Sequence, residues 1–218
     1  MNSKAELMLD IQSYWHPGTG RGDGFGADAV VNRGADGLPI LPGRTVKGLV
    51  RDAVRLGRLA GVAGLTVNVE EHLFGTALAP SASDDRVRRL EEARFATRPG
   101  ALRFNDARLG GSPAEQEVWR RFAATSEGER VARQLSTLVS STALEEGVAK
   151  SGSLRTIEAW VPMTLHTWVS YEPAAGEPAP NWSWGALDEC VRCFLRAAGS
   201  HRTRGLGRCA ATLLEVSP

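Results

Sequence analysis

Long apolar runs are absent from this sequence, and cysteine is scarce. No stretch reaches the roughly 18 uninterrupted apolar residues of a membrane-spanning helix, so the sequence predicts no such helix. The opening segment MNSKAELMLD also lacks the apolar run of a signal peptide. The three cysteines, Cys190, Cys193 and Cys209, are too few and odd in number for a disulfide framework. We therefore expect free thiols, no membrane partner and a cytoplasmic location.

Lysine is rare as well, because 23 of the 26 basic residues are arginines and only Lys4, Lys47 and Lys150 are lysines. The formal net charge of +1 argues against a protein that coats nucleic acid indiscriminately. Any site for a polyanion must therefore come from arginines that gather locally. With 218 residues, of which 42% are hydrophobic, the chain has room for a single domain with long insertions.

The first part of the chain combines a strand, a glycine-rich loop and a helix. Residues 5–13 alternate as a strand, and the following segment HPGTGRGDGFGADAV is so rich in glycine that its backbone can approach a ligand closely. Apolar residues at helical spacing predict a helix over 43–60, with Leu56 or Gly57 on the buried face. The other face carries a basic stripe formed by Lys47, Arg51, Arg55 and Arg58. A phosphate-binding surface and an ordinary solvated surface are both consistent with this stripe.

The remaining segments continue an alternation of strands and helices. HLFG at 72–75 ends a short element, and the patterns that follow predict a surface helix at 86–94, a strand at 100–109, a helix at 113–135, a pair of β segments at 135–147 and 153–172, a helix at 184–198 and a closing strand at 209–216. The order strand, helix, strands, helix, strand predicts an α+β protein with a ferredoxin-like (βαββαβ, RRM-like) sheet.

A second candidate for phosphate binding is the segment GSHRTRGLGRC at 199–209. Its glycines expose backbone amides, and its side chains supply donors suited to phosphate oxygens, from His201, Arg202, Arg204 and Arg208. The alternative is an exposed turn in an arginine-rich protein. A nucleotide cofactor is not expected, because PGRTVKG lacks the Gly-Lys-Ser/Thr of a phosphate-binding loop.

Zinc is a weaker alternative for the same end of the chain. Cys190 and Cys193, with Cys209 and His201 further on, supply four residues of the types that bind zinc. The two closely spaced cysteines, however, lie one turn apart in a predicted amphipathic helix, where buried structural thiols are commoner. No structural metal is therefore expected.

Several blocks of the sequence together resemble the RAMP superfamily, which builds type III CRISPR effector complexes. LPILPGRTVKGLVRDA at 38–53 is similar to the family signature Pro-x-Ile-Pro-Gly-Ser-Ser-Leu-Lys-Gly-x-x-Arg, and GSHRTRGLGRC to its Arg-Ser-Arg-Gly-Phe-Gly-Arg loop. HLFG with GALRFNDARL resembles its Leu-Phe-Gly and Arg-Leu-x-Phe-x-Asp-Ala blocks. SLRTIEAWVP at 153–162 resembles a further block, Leu-Arg-x-x-Glu-x-Val-Pro.

The resemblance implies one RAMP domain over 1–218, with a ferredoxin-like palm and a thumb β-hairpin. The palm would comprise about 1–75, 100–110 and 182–218, and the insertions and thumb about 76–99 and 111–170. Such a chain would be a repeated backbone subunit whose partners are guide RNA, target RNA, copies of itself and other CRISPR effector subunits. The implied RNA-binding residues are His16, Arg44, Thr45, Lys47, Arg51, His201, Arg202, Arg204 and Arg208. These contacts would carry no sequence information.

The same resemblance implies a catalytic aspartate before the signature helix. Asp28-Ala-Val-Val-Asn-Arg33 and the following Asp36-Gly37-Leu38-Pro39 match the pattern of backbone subunits that cut target RNA. Asp28 would assist attack of a ribose 2′-hydroxyl on the adjacent phosphate by taking the proton or by holding Mg²⁺ or Mn²⁺. Asp23 is a nearby rival, and either aspartate is also a common turn residue. The alternatives are a non-catalytic structural subunit and a stand-alone endoribonuclease that processes guide precursors, with His16 as its base.

Overall fold

The computed structural model describes residues 3–24, 26–76, 98–176 and 179–216. Its elements, in chain order, are β1 (Lys4–Ile11), α1 (Gly43–Leu59), α2 (Val67–Phe74), β2 (Leu102–Phe104), α3 (Pro113–Ala123), α4 (Ser126–Gln134), β3 (Ser136–Ser141), β4 (Leu144–Glu145), β5 (Val148–Ala149), β6 (Arg155–Trp160), β7 (Met163–Tyr171), α5 (Trp184–Phe194), a 3₁₀ turn (Arg202–Arg204) and β8 (Cys209–Val216). The predicted α+β class is confirmed. The segment predicted as a surface helix at 86–94 lies outside the described residues.

The main sheet has four strands in the order β2-β7-β1-β8, and every neighbouring pair is antiparallel. Burial alternates along β1, where Leu7 and Leu9 are buried while Met8 between them is 36% exposed. The buried face packs against α1 and α5 in one hydrophobic core. The opposite face carries more polar side chains, including the hydrogen-bonded pair His166 and Glu6.

A second, smaller pair of strands is formed by β3 and β6, which are antiparallel, and the short strands β4 and β5 pair beyond them. The sequence predicts the segment 153–172 as one half of a hairpin. In the structure this segment is two strands, since β6 pairs with β3 whereas β7 lies in the main sheet between β1 and β2. The backbone changes sheets at Val161 and Pro162, between the two strands.

Three predicted boundaries are wrong for identifiable reasons. The helix predicted over 113–135 is two helices, because the Thr125 side chain accepts a hydrogen bond from the Gly128 N–H and starts α4. The helix predicted over 184–198 ends at Phe194, because the Ala198 N–H donates to the Gly207 carbonyl (2.8 Å). The strand predicted over 100–109 is limited to β2, since the Ala107 N–H turns to the Leu41 carbonyl (2.9 Å).

The first helix follows its sequence pattern closely. Its buried residues are Gly43, Val46, Leu49, Val50, Ala53, Val54 and Gly57, so Gly57 rather than Leu56 completes the apolar face. Gly57 has no room for a side chain because the Cys190 sulfur of α5 occupies the place of a Cβ. The two helices therefore approach closely at this point. None of the helices in the described part of the chain is both long and apolar enough to cross a membrane.

Candidate nucleic-acid interface

Two segments that are distant in sequence cross at the end of the sheet where β1 finishes. The Gln12 N–H donates to the Arg208 carbonyl (2.8 Å), the Gly207 N–H to the Tyr14 carbonyl (2.7 Å), and the Ser200 N–H to the His16 carbonyl (2.8 Å). The chain that leaves β1 is thereby fixed against the arginine-rich segment at 199–208. We call this segment the arginine loop.

Glycines make this crossing sterically feasible. Gly207 has a φ of 71°, and a Cβ there would overlap the Ala198 carbonyl oxygen. Gly199 has a φ of 88°, and a Cβ there would lie 2.9 Å from the His16 carbonyl oxygen. Both positions need glycine because they combine a left-handed backbone with a close approach of another chain segment. Gly199 and Gly207 thus mark the places where the arginine loop passes close to another segment of backbone.

The crossing brings together two of the predicted site residues, His16 and His201, whose ring centroids are 5.9 Å apart. His16 is buried, and its Nδ1 lies 2.6 Å from the Glu158 carbonyl oxygen. Since a carbonyl only accepts, Nδ1 carries the proton of this hydrogen bond. Burial, followed by the nearby charges of Arg204 and His16, holds the pKa of His201 below its ordinary value. The neutral form of His201 is therefore favoured in the absence of an anion.

Ion pairing distinguishes two groups among the arginines of the described chain. Nine lie within 4 Å of a carboxylate oxygen: Arg33, Arg51, Arg58, Arg103, Arg108, Arg120, Arg121, Arg130 and Arg192. Nine others have no carboxylate partner among the described residues: Arg21, Arg44, Arg55, Arg133, Arg155, Arg196, Arg202, Arg204 and Arg208. Six of the unpaired group lie on α1 or between residues 196 and 208. Their charge is available to a ligand.

The predicted basic stripe on α1 is divided by this pairing. Arg51 and Arg58 both contact the carboxylate of Glu70 on α2, at 3.5 and 3.2 Å, so they join two helices. Lys47 lies on the same flank, where burial and then the charges of Arg103 and Arg51 lower its pKa. Arg51 therefore lies on the flank of α1 that faces α2, and Lys47 lies near it. Within the stripe, Arg55 is the member that lines a cavity together with Arg202 of the loop.

The N-terminus of α1 is already partly occupied by a protein carboxylate. The Gly43 N–H donates to the Asp106 Oδ1 at 2.9 Å, which satisfies one of the free amides expected to favour phosphate. Arg44 is exposed on the first turn, and Thr45 is half-buried beside it. Of these two predicted RNA-binding residues, Arg44 has the side chain more open to a ligand.

Asp28 docks onto the edge of β6. Its N–H donates to the Thr156 carbonyl (2.7 Å), and the Thr156 N–H donates to the Asp28 Oδ2 (2.7 Å). His16 binds the carbonyl of Glu158, two residues further along the same strand, so the two attachment points are about 7 Å apart. Asp28 is exposed, and its Oδ1 accepts no hydrogen bond from the described residues. Asp23 instead accepts from the N–H groups of Gly26 and Ala27, which is the behaviour of a turn residue.

Glu158 and Arg33 organise this region and were not among the predicted site residues. The Glu158 carboxylate accepts from the Val31 N–H (3.2 Å) and from the Arg33 guanidinium, which also lies 4.3 Å from the centroid of the Trp160 ring. A signal for both existed in the sequence. Glu158 is the glutamate of the SLRTIEAWVP block, and Arg33 ends the segment that begins at Asp28.

Cys190 and Cys209 are buried and Cys193 is exposed. Across residues 3–24, 26–76, 98–176 and 179–216, no three His, Cys, Asp or Glu side chains are grouped as metal ligands would be. The zinc alternative therefore finds no geometric support in this part of the chain.

The fold and the unpaired arginines define an α+β protein with a candidate polyanion-binding surface. Comparison with protein-family models matches residues 9–161 to the RAMP superfamily, and the chain belongs to that family. Among solved structures, it is similar to a chain of the type III-B Cmr-beta complex bound to cognate target RNA, with a TM-score of 0.59, 11% identity and 96% of each chain covered. A chain of the same complex in its apo state gives a TM-score of 0.59 and 12% identity, again over 96% of each chain. Comparison with curated protein sequences gives no significant match.

Proposed function

We propose that this chain is a guide-RNA-binding backbone subunit of a type III CRISPR interference complex. Its membership of the RAMP superfamily and a fold like that of chains in a type III-B complex support this assignment. In this proposal the four-stranded sheet with α1 and α5 is the ferredoxin-like palm, and β3 to β6 form the thumb hairpin. Target RNA, copies of the same chain and other effector subunits are the expected partners.

The observation that carries the proposal is that six of the nine unpaired guanidinium groups lie on α1 or between residues 196 and 208, and that Arg55 of α1 and Arg202 of the loop line one cavity. Arg202, Arg204 and Arg208 in the arginine loop, with Arg44 and Arg55 on α1, have no carboxylate partner in the described chain. A ribose-phosphate strand supplies the missing negative charges, and phosphate contacts hold it without reading its sequence. A phosphate beside His201 opposes the lowering of its pKa, because a nearby negative charge favours the protonated form.

We further propose that Asp28 assists cleavage of target RNA. A ribose 2′-hydroxyl loses its proton and attacks the adjacent phosphorus, and the bond to the 5′ oxygen breaks. The 5′ oxygen takes a proton from water, so that a 2′,3′-cyclic phosphate and a 5′-hydroxyl result. With Oδ2 held by the Thr156 N–H, the Asp28 Oδ1 is free to accept the hydroxyl proton or to bind Mg²⁺ or Mn²⁺. Such ions commonly use one or two carboxylates together with substrate phosphates and water.

One observation weighs against the stand-alone nuclease that uses His16 as its base. His16 is 3% exposed, and its Nε2 lies against Gly18, where a Cβ would approach it to 2.6 Å. A base must reach the proton that it abstracts, within about 3.2 Å or through one water. The burial of this ring favours a supporting role.

The test is to isolate the assembled complex with its RNA, sequence that RNA, and compare target cleavage by the wild type and by Asp28→Asn. Asparagine retains an oxygen that can accept from the Thr156 N–H, so the loop conformation is preserved. We expect retained RNA binding and a cleavage rate lowered by about 10²–10⁴-fold, the range typical of a lost proton-transfer group. Asp23→Asn serves as the matched control in the same loop. Unchanged cleavage in Asp28→Asn would leave the structural-subunit alternative, and loss in Asp23→Asn alone would move the role to Asp23.

A further inference from the structure

The strand β3 leaves one of its two edges open. The Val161 N–H donates to the Leu135 carbonyl (2.9 Å), and hydrogen-bonded and non-hydrogen-bonded pairs alternate along the antiparallel register of β3 and β6. The N–H and C=O groups of Ser136, Leu138 and Ser140 therefore point away from β6. None of these backbone groups is bonded within the described part of the chain, so β3 presents three donors and three acceptors along one line.

The hydrogen bonds on the far edge of β6 support this alternation. On that edge the Glu158 N–H donates to the Ala29 carbonyl (2.9 Å), and the Thr156 carbonyl accepts from the Asp28 N–H (2.7 Å). Glu158 lies opposite Leu138 in the register. Opposite residues of a non-hydrogen-bonded pair both direct these groups away from the partner strand. The backbone of Leu138 therefore faces outward on the β3 side, as that of Glu158 does on the β6 side.

The two edges of the main sheet are protected, in contrast to β3. At one side the Cys209 and Leu213 N–H groups of β8 donate to the Arg196 carbonyl (2.9 Å) and to the Asp188 Oδ1 (2.8 Å). At the other side β2 is only three residues long. The six residues of β3, STLVSS, include no charge and no proline, and Leu138 among them is 57% exposed. An edge without these protective features pairs readily with a further strand.

We propose that β3 pairs antiparallel with β3 of a second copy, so that two RNA-free chains form a symmetric dimer. Two-fold symmetry is the commonest arrangement of identical chains. With Leu138 on the axis, opposite Leu138 of the second copy, Ser136 lies opposite Ser140, and the three open donors of each strand reach the three open acceptors of the other. On the other face of the ribbon Thr137 lies opposite Val139, so every cross-strand pair is uncharged.

The charges at the two ends of β3 favour a second copy as the partner, in this direction. The strand directly follows α4, whose last turn carries Arg133, and it leads to an exposed turn that contains Glu145, Glu146 and a single lysine, Lys150. One end is therefore basic and the other is net acidic. Antiparallel pairing brings the basic end of each strand beside the acidic end of the other, whereas parallel pairing would place like charges together.

This contact differs from the one that repeats along a guide RNA in the proposed function, and it rests on the fold alone. A two-fold contact closes on itself and recruits no third copy. It also leaves the candidate interface open, because Asp28 and His16 attach to the other edge of β6. A six-residue edge buries less than the roughly 1,200 Å² of a stable complex, so we expect a dissociation constant of about 0.1–1 mM.

The test is sedimentation equilibrium of the full-length chain without RNA, in a reducing buffer that prevents crosslinking through the exposed Cys193. The wild type should shift from monomer toward dimer between about 10 µM and about 1 mM. Leu138→Lys should weaken association at least about tenfold, because two like charges meet on the axis in place of an apolar pair. Val118→Lys, the same substitution at a position 66% exposed on α3, is the matched control and should associate as the wild type does.

A charge swap tests whether position 138 meets itself. Leu138→Glu should stay monomeric as Leu138→Lys does, whereas an equimolar mixture of the two should form heterodimers, because opposite charges then meet on the axis. Amide exchange of the wild type measures the same contact without any substitution, and the Leu138 N–H should exchange more slowly at about 1 mM than at about 10 µM. The proposal is overturned if the wild type stays monomeric, if Leu138→Lys associates as the wild type does, if the mixture stays monomeric, or if exchange at Leu138 does not depend on concentration.

Discussion

The division between paired and unpaired arginines predicts how salt affects RNA binding. Arg204 is exposed in the 3₁₀ turn of the arginine loop, and no carboxylate of the described chain pairs with it. Each phosphate neutralised on a single strand contributes about 0.7 to the slope of log K against log salt, because counterions are released. Arg204→Gln should therefore make this slope shallower by about 0.7, and adding Arg202→Gln should make it shallower by about 1.4.

Arg58 provides the matched control, since it is an arginine of α1 whose Nε lies 3.2 Å from the Glu70 carboxylate. Arg58→Gln should leave the slope unchanged because this guanidinium is already neutralised within the protein. It should instead lower the free energy of unfolding by about 1–2 kcal/mol, since a half-buried charged hydrogen bond is lost while Arg51 still partners Glu70.

The assay is fluorescence anisotropy of labelled oligouridine between about 50 and 200 mM KCl, together with urea unfolding of each variant. Equal slopes for Arg204→Gln and Arg58→Gln would refute the reasoning, because internal ion pairing would then not distinguish structural arginines from ligand-binding ones. A slope that changes for Arg58→Gln alone would mean that the ion pair with Glu70 opens when RNA binds.

Two further predictions concern the packing and the thiols. Gly57→Ala should lower the free energy of unfolding in urea, because overpacking against the Cys190 sulfur costs about 1–3 kcal/mol and outweighs the roughly 1 kcal/mol that alanine gains over glycine in a helix. Adding Cys190→Ala should restore most of this loss. A Gly57→Ala variant more stable than the wild type would contradict the prediction. Burial raises the pKa of Cys190 and of Cys209 to about 11, so at pH 8 only about a thousandth of either side chain is thiolate. A thiol assay on the folded protein should therefore find one fast-reacting thiol, the exposed Cys193, and Cys193→Ser should abolish the fast reaction.

The periodic elements could be predicted from the sequence because their signals are local. The buried face of α1 recurs at helical spacing, and β8 begins at Cys209 as its alternation predicts. The glycines of the arginine loop also carried usable information, although the reason for Gly207 is the nearby Ala198 carbonyl. Short-range patterns thus predicted the α+β class and the two segments that carry the candidate surface, α1 and the arginine loop.

What the sequence could not provide is the identity of the groups that lie opposite a given side chain. The spacing of Arg51 and Arg58 places them on one helix face, but their pairing with Glu70 depends on how α2 packs. The break between α3 and α4 at Thr125 could not be predicted either. The spacing of apolar residues continues across it, and the hydrogen bond of the Thr125 side chain that starts α4 leaves no mark on that spacing. Tertiary partners decide both outcomes.

The strand β6 connects the separate parts of the candidate site, although its residues were not expected to contact RNA. Thr156 holds Asp28, the Glu158 carbonyl holds His16, and Trp160 exchanges backbone hydrogen bonds with Trp15 (3.1 and 2.8 Å). Asp28 and His16, which binds the arginine loop through the Ser200 N–H, are therefore positioned by a single strand, and movement of β6 displaces both. A strand with this role is constrained in sequence through its partners, which gives a physical reason for the resemblance of SLRTIEAWVP to a family block.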